Sequence, residues 1–183
     1  RPRNEPTVSI SDFYAGTKPK VPSVPRNNWR TPAEVFDYAN RRYGPFTLDA
    51  AASHDNALCR RYFTAEDDGL AQSWEGEVVW LNCPYGQAVV NGKKVRSAIP
   101  YWVAKAAAEA ERGVRTCMLL PAWTDRQWFH EHCLGKPNVI VEYLPGRVRF
   151  VGAPQGAPWG SMFVVFLPKG GQSCSELHAT QRP

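Results

Sequence analysis

The sequence predicts an α/β fold, a mostly parallel sheet with an antiparallel edge, as in mixed doubly wound folds. The chain has 183 residues, the length of one domain, and 43% of them are hydrophobic, enough for a core. Helical patterns alternate with buried strand patterns, and strands crowd the end of the chain. No internal repeat is present.

Residues 1–28 are rich in Pro, Ser and basic side chains, and the Lys-Pro-Lys-Val-Pro run from Lys18 reads as an extended arm. Thr31-Pro32-Ala33-Glu34 reads as a capping box with proline at the first helical position. A helix follows to Tyr43, with Val35, Phe36, Ala39 and Tyr43 on one face, and Gly44-Pro45 stops it. Residues 46–50 read as a short strand, 53–75 show no clear pattern, and 77–82 form a buried strand. Residues 87–98 read as a loop because of Gly92 and its polar neighbours. Pro100 opens an Ala-rich helix to Glu111, ended by Gly113, and 114–120 is another buried strand. Thr124 and Gln127 form a second capping box for a helix that Gly135 ends. Three strands follow at 139–144, 147–151 and 161–167, the first two separated by the Pro145-Gly146 turn. The expected organisation is an arm over 1–28, one domain over 29–169 and a polar tail over 170–183.

Composition bounds the partners. Net charge is +5, which favours an anionic partner. The five cysteines, at 59, 83, 117, 133 and 174, form no Cys-x-x-Cys pair, so neither a disulfide framework nor a zinc ribbon is expected and a reducing cytoplasm is. No apolar run approaches the roughly 20 residues of a membrane helix, and the first residues lack the apolar core of a secretory signal. His130 and His132 lie two apart, so a helix would point them to different sides, and no metal is expected.

The chemistry concentrates in Asn82-Cys83-Pro84-Tyr85-Gly86, which follows the apolar run Val78-Val79-Trp80-Leu81. Ligands of open α/β sheets bind beyond the carboxyl ends of strands, where this turn would lie. An exocyclic amino nitrogen is a poor nucleophile because its lone pair is delocalised into the ring. Accepting hydrogen bonds from both of its N–H groups localises that pair. The Asn82 side-chain oxygen can accept one and the Cys83 carbonyl the other, Pro84 stiffens the turn without a competing N–H, and the Tyr85 ring can stack on a base. Cys83 precedes the proline, so it reads as filler rather than nucleophile.

The turn resembles the Asn-Pro-Pro-Tyr signature of amino-methyltransferases, with Cys83 replacing the first proline. Taken with Trp29-Arg30-Thr31-Pro32, the Phe46-to-Ser53 segment, Arg61-Tyr62-Phe63-Thr64, Asp67-Asp68-Gly69-Leu70, Trp74, the 119–130 segment and Gly146-Arg147-Val148-Arg149-Phe150, it is similar to the phage N6-adenine DNA methyltransferase (Dam-like) family over roughly residues 28–168. The resemblance implies a Rossmann-like S-adenosylmethionine-dependent methyltransferase domain, with S-adenosyl-L-methionine as donor and adenine in DNA as acceptor. Carried over by position, it implies that Trp29, Thr31 and Pro32 help hold the methionine end of the cofactor. Asp49, Ala50 and Ala51 would form the strand-end cofactor turn, in a version that lacks glycine. Phe63, Asp68 and Leu70 would flank the cofactor adenine, with Asp67 the alternative acid. Asn82 would touch both cofactor and acceptor.

A basic loop beside a base pocket contacts phosphates, which makes Lys93, Lys94 and Arg96 DNA-binding candidates. Arg126, Arg147 and Arg149 are further candidates, although a plain solvent face also explains the alternation of the last two with Val148 and Phe150. Trp123 is open between pocket, core and lid. A duplex adenine would have to flip out of the stack to react. Two other readings stay open: methyl transfer to RNA or to a protein amide, and a non-catalytic nucleic-acid-binding module on a degenerate methyltransferase fold. The recognition sequence and oligomeric state are not legible.

Overall fold

The computed structural model describes residues 29–170, so the expected arm at 1–28 and all of the expected tail beyond Gly170 lie outside the described residues. The chain forms β1 (Leu48–Asp49), β2 (Arg61–Tyr62), β3 (Val78–Leu81), β4 (Ala88–Val90), β5 (Lys93–Val95), β6 (Arg115–Pro121), β7 (Val139–Tyr143) and β8 (Ser161–Phe166). Its helices are α1 (Ala33–Tyr43), α2 (Ile99–Glu111) and α3 (Gln127–His132). Six strands make one sheet in the order β2-β1-β3-β6-β8-β7. The first four are mutually parallel, and β8 runs antiparallel between β6 and β7. This is the expected mostly parallel sheet with an antiparallel edge.

Alternation along the strands builds two cores. Leu81, Met118, Leu120, Met162 and Val164 face α2 and α3, whereas Trp80, Leu119, Phe163 and Val165 face α1. A strand buried on both faces needs a continuous apolar run, which is why β3 and β6 read so plainly in the sequence. Phe36, Phe46 and Phe163 pack against the Trp80 ring on the α1 side.

Four local expectations are corrected. Thr31 does not cap α1: Pro32, whose ring has no polar atom to donate or accept, is the N-cap residue, and the Thr31 hydroxyl accepts a hydrogen bond from Asn82. Thr124 likewise does not cap α3, whose N-cap is Arg126. Residues 147–150 join no sheet ladder. Val151 alone forms a bridge, to Arg30, while the chain folds back so that the Ala157 N–H bonds the Val148 carbonyl. The 87–98 segment is an antiparallel hairpin, β4 with β5, closed by Asn91-Gly92, both with positive φ as a two-residue hairpin turn requires.

The chain visits β1, then β2 on one side of it, then β3 on the other. That reversal opens a crevice beyond the carboxyl ends of β1 and β3, the position where open α/β sheets bind ligands.

Candidate functional site

Two adjoining cavities occupy the crevice. The larger, about 590 Å³, lies between the Ala50–Ser53 turn, the segment through Asp68, Gly69 and Leu70, strand β4 and the start of α2. Its size is ordinary for a cofactor pocket. The smaller, about 50 Å³, lies between Trp29, Thr31, Asp49 and Asn82. Arg30, Ala51, Asn56 and Pro84 line both.

Asp49 ends β1 and is buried. Its carboxylate accepts the Leu58 and Ala51 N–H groups at 3.1 and 3.4 Å, which closes the loop from residue 50 to 58. Burial outweighs those two bonds and pushes its pKa up to about 6. Ala50 and Ala51 line the large cavity directly. Gly69 makes room there: a Cβ on it would sit 2.2 Å from the Ala50 carbonyl oxygen.

Asp68 lines the large cavity with φ at 53°, a left-handed conformation that Asp adopts more readily than most residues. Asp67 does not line it. Its carboxylate accepts both the Thr64 N–H and the Thr64 hydroxyl, each at 2.8 Å, and those bonds lower its pKa. Leu70 lines the cavity, but Phe63 packs toward the core beneath the Arg61 guanidinium, and its neighbours Thr64 and Ala65 take the lining position. Pro32 lines neither cavity.

At the end of β3, the Asn82 Nδ2 donates to the Thr31 Oγ1 at 3.0 Å. The donor end of the amide is thereby taken, and its Oδ1 forms no hydrogen bond among the described residues. Cys83 is buried, and burial drives its thiol pKa well above the ordinary range, which disfavours the thiolate. The Tyr85 hydroxyl donates to the Leu119 carbonyl at 2.7 Å, and its ring meets Phe150 and Trp159 edge-on. The turn is anchored downstream too, by the Ser97 hydroxyl donating to the Tyr85 carbonyl and the Ala98 N–H to that of Gly86.

On the far side of Tyr85 a groove of about 840 Å³ runs between α2 and α3. Arg96, Arg126 and Trp123 line it, and the Arg126 guanidinium lies 5.6 Å from the Trp123 ring centre. Lys93 and Lys94 are exposed on β5, and Arg147 and Arg149 are exposed beside the buried Val148 and Phe150. The structure thus gathers Arg96 and Arg126 at one groove and leaves Arg147 and Arg149 on a separate segment.

Several lining residues were not legible as such. Arg30, Asn56, Val90 and Trp102 line the cavities. Trp159 joins Trp29, Tyr85 and Trp123 into one aromatic cluster. Only Asn91-Gly92 carried a local signal, since it announces the hairpin that places Val90. Among the described residues no group of three or more His, Cys, Asp or Glu is arranged to hold a metal ion, and no helix is long and apolar enough to cross a membrane.

Residues 18–169 match the model of the family described as DNA N-6-adenine-methyltransferase (Dam). Among curated proteins, the chain is 36% identical over 119 residues to the DNA N-6-adenine-methyltransferase of Escherichia phage T1, covering 64% of this chain and 44% of the relative. It is 25% identical over 159 residues to the DNA N-6-adenine-methyltransferase of Haemophilus phage HP1 (strain HP1c1), covering 84% of this chain and 86% of the relative. The chain thus spans less than half the length of the phage T1 protein and most of the phage HP1 protein.

Proposed function

The chain belongs to the DNA N-6-adenine-methyltransferase (Dam) family, and from that premise we propose that it transfers the methyl group of S-adenosylmethionine to N6 of adenine in DNA. The observation that carries this reading is the half-satisfied Asn82 amide at the carboxyl end of β3, with its donor held by Thr31 and its acceptor open.

The cavities fit the donor. The larger has the volume of a nucleotide-type ligand site, with Leu70 and Trp102 as apolar walls for a ring and Asp68 as an acceptor for amino or hydroxyl hydrogens. The smaller continues it to Asn82. When bound, S-adenosylmethionine supplies an electrophilic methyl group on a sulfonium sulfur. Asn82 Oδ1 would accept one N–H of the acceptor amino group and the Cys83 carbonyl the other, which would localise the nitrogen lone pair for attack; transfer would release S-adenosylhomocysteine and one proton. The Tyr85 ring, fixed by its bond to Leu119, gives the flipped base a face to rest on. Asp49 shapes the turn through Ala51 and Leu58. The cations of β5, Arg96 and Arg126 hold phosphates of the DNA backbone. This reading puts the reaction in a bacterial host cytoplasm, where DNA and the cofactor occur together.

The test is transfer of a labelled methyl group to an unmodified DNA library, with RNA and protein acceptors in parallel and the modified atoms mapped. N6-methyladenine in DNA is expected. Label confined to RNA or protein, or cofactor binding without transfer to any acceptor, would overturn the reading.

A further inference from the structure

The two cavities have an unequal charge pattern. Asp55 and Asp68 line the larger and Asp49 the smaller. Arg30 lines both, and among the described residues it is the single cationic side chain on either wall. It is exposed and forms no ion pair or side-chain hydrogen bond among the described residues. Its backbone is nonetheless fixed. The Arg30 N–H donates to the Val151 carbonyl at 3.1 Å, and the Val151 N–H donates back to the Arg30 carbonyl at 3.0 Å. This two-way bridge holds a guanidinium without an ion-pair partner among the described residues at the rim shared by both cavities.

A zwitterionic nucleoside amino acid meets these walls unevenly. Its amino group, hydroxyls and sulfonium are all compatible with acidic neighbours. Its α-carboxylate is not, because Asp49, Asp55 and Asp68 would repel it. A guanidinium binds a carboxylate through two parallel charge-assisted hydrogen bonds, a geometry that a lysine ammonium cannot reproduce. We infer that Arg30 is the ligand of the α-carboxylate of S-adenosylmethionine and so fixes which end of the cofactor lies toward Thr31 and Asn82. The inference rests on the proposed cofactor and assigns this role to a residue beside the Thr31-Pro32 segment rather than to the segment itself.

The test compares two ligands that differ in their amino-acid end. S-adenosylhomocysteine carries the α-carboxylate, and 5′-methylthioadenosine lacks it. Binding of each is measured by calorimetry to the wild-type chain, Arg30→Ala and Arg30→Lys. Arg30→Ala should weaken S-adenosylhomocysteine by about 10- to 100-fold and leave 5′-methylthioadenosine within about 2-fold, with Arg30→Lys between wild type and Ala for the first ligand only. The side chain is exposed and the bridge to Val151 is made by backbone, so the variants should keep the wild-type melting temperature. Equal losses for both ligands would overturn the inference by making Arg30 a general wall. So would unchanged affinity for both, including the case where DNA affinity falls instead, which would make it a phosphate contact. A wild-type chain that binds neither ligand would refute the cofactor reading itself, a result distinct from a failure of Arg30 alone.

Discussion

Thr31→Val tests the central geometric idea, that a hydroxyl 51 positions upstream aims the Asn82 amide. Valine keeps the shape of threonine and removes its acceptor. The hydrogen bond it removes is 3.0 Å long and partly buried, and Thr31 is only 8% exposed, so water replaces it poorly. A net hydrogen bond contributes about 1 kcal/mol, and an orphaned buried donor costs about 1–3 kcal/mol. Placing this site at about 1–2 kcal/mol, and taking about 1.4 kcal/mol per factor of ten, the aimed amide population should fall by about 5- to 30-fold. Single-turnover transfer of labelled methyl to DNA should fall by the same factor, with cofactor affinity nearly unchanged. Asn82→Ala removes the acceptor outright and should cost about 100- to 1000-fold, as deletion of one preorganised polar group commonly does. Thr31 acts through Asn82, so the double variant should transfer within about 2-fold of Asn82→Ala alone. Additive losses in the double variant, or an unchanged rate in Thr31→Val, would refute the aiming role.

Three further outcomes follow from the same geometry. Burial raises the Asp49 pKa from 3.8 to about 6, so the folded state holds that proton more tightly than the unfolded chain; stability from this group is greatest below about pH 4 and falls by about 3 kcal/mol as pH rises through about 6, so denaturant titrations of wild type and Asp49→Asn should diverge across that window, and parallel profiles would refute it. Cys83→Ala should keep transfer within about 3-fold at a stability cost of about 1 kcal/mol, because the proposal uses only the backbone carbonyl of that residue; a transfer-dead, folded variant would restore a role for the thiol. Replacing Lys93 and Lys94 by alanine should reduce the slope of log DNA affinity against log salt by about 1 for each phosphate no longer neutralised, and an unchanged slope would take the hairpin off the DNA.

How much of this was legible depended on how local its cause was. The strand before Asn82 was plain because both faces of β3 are buried, which demands an unbroken apolar run. Thr31 lies beside Asn82, and its local sequence points to a different partner. A hydroxyl before Pro-Ala-Glu suits a helix cap, and nothing nearby reveals the competing amide of Asn82. β2 is two residues long, too short to show a period of two, and is held by its pairing to β1. The alternation over 147–151 was real, since Val148 and Phe150 are buried and both arginines exposed, yet it lacks a neighbouring strand. Periodicity reports which face is buried, not whether a ladder exists.

The turn after Asp49 carries Ala50 and Ala51 where the resemblance implies a glycine-rich version. Ala50 and Ala51 keep their methyl groups, and the close approach is made from the opposite wall, where Gly69 packs its Cα against the Ala50 carbonyl with no space for a Cβ. The Trp74 indole N–H donates to the Gly69 carbonyl at 2.9 Å, so this close packing is tied into the buried Trp74–Trp102 stack. Trp102 in turn lines the cavity. One missing side chain therefore fixes the separation between the strand-end turn and α2. Under the proposed mechanism position 83 needs only a small buried side chain and a carbonyl ahead of Pro84, and cysteine meets both conditions.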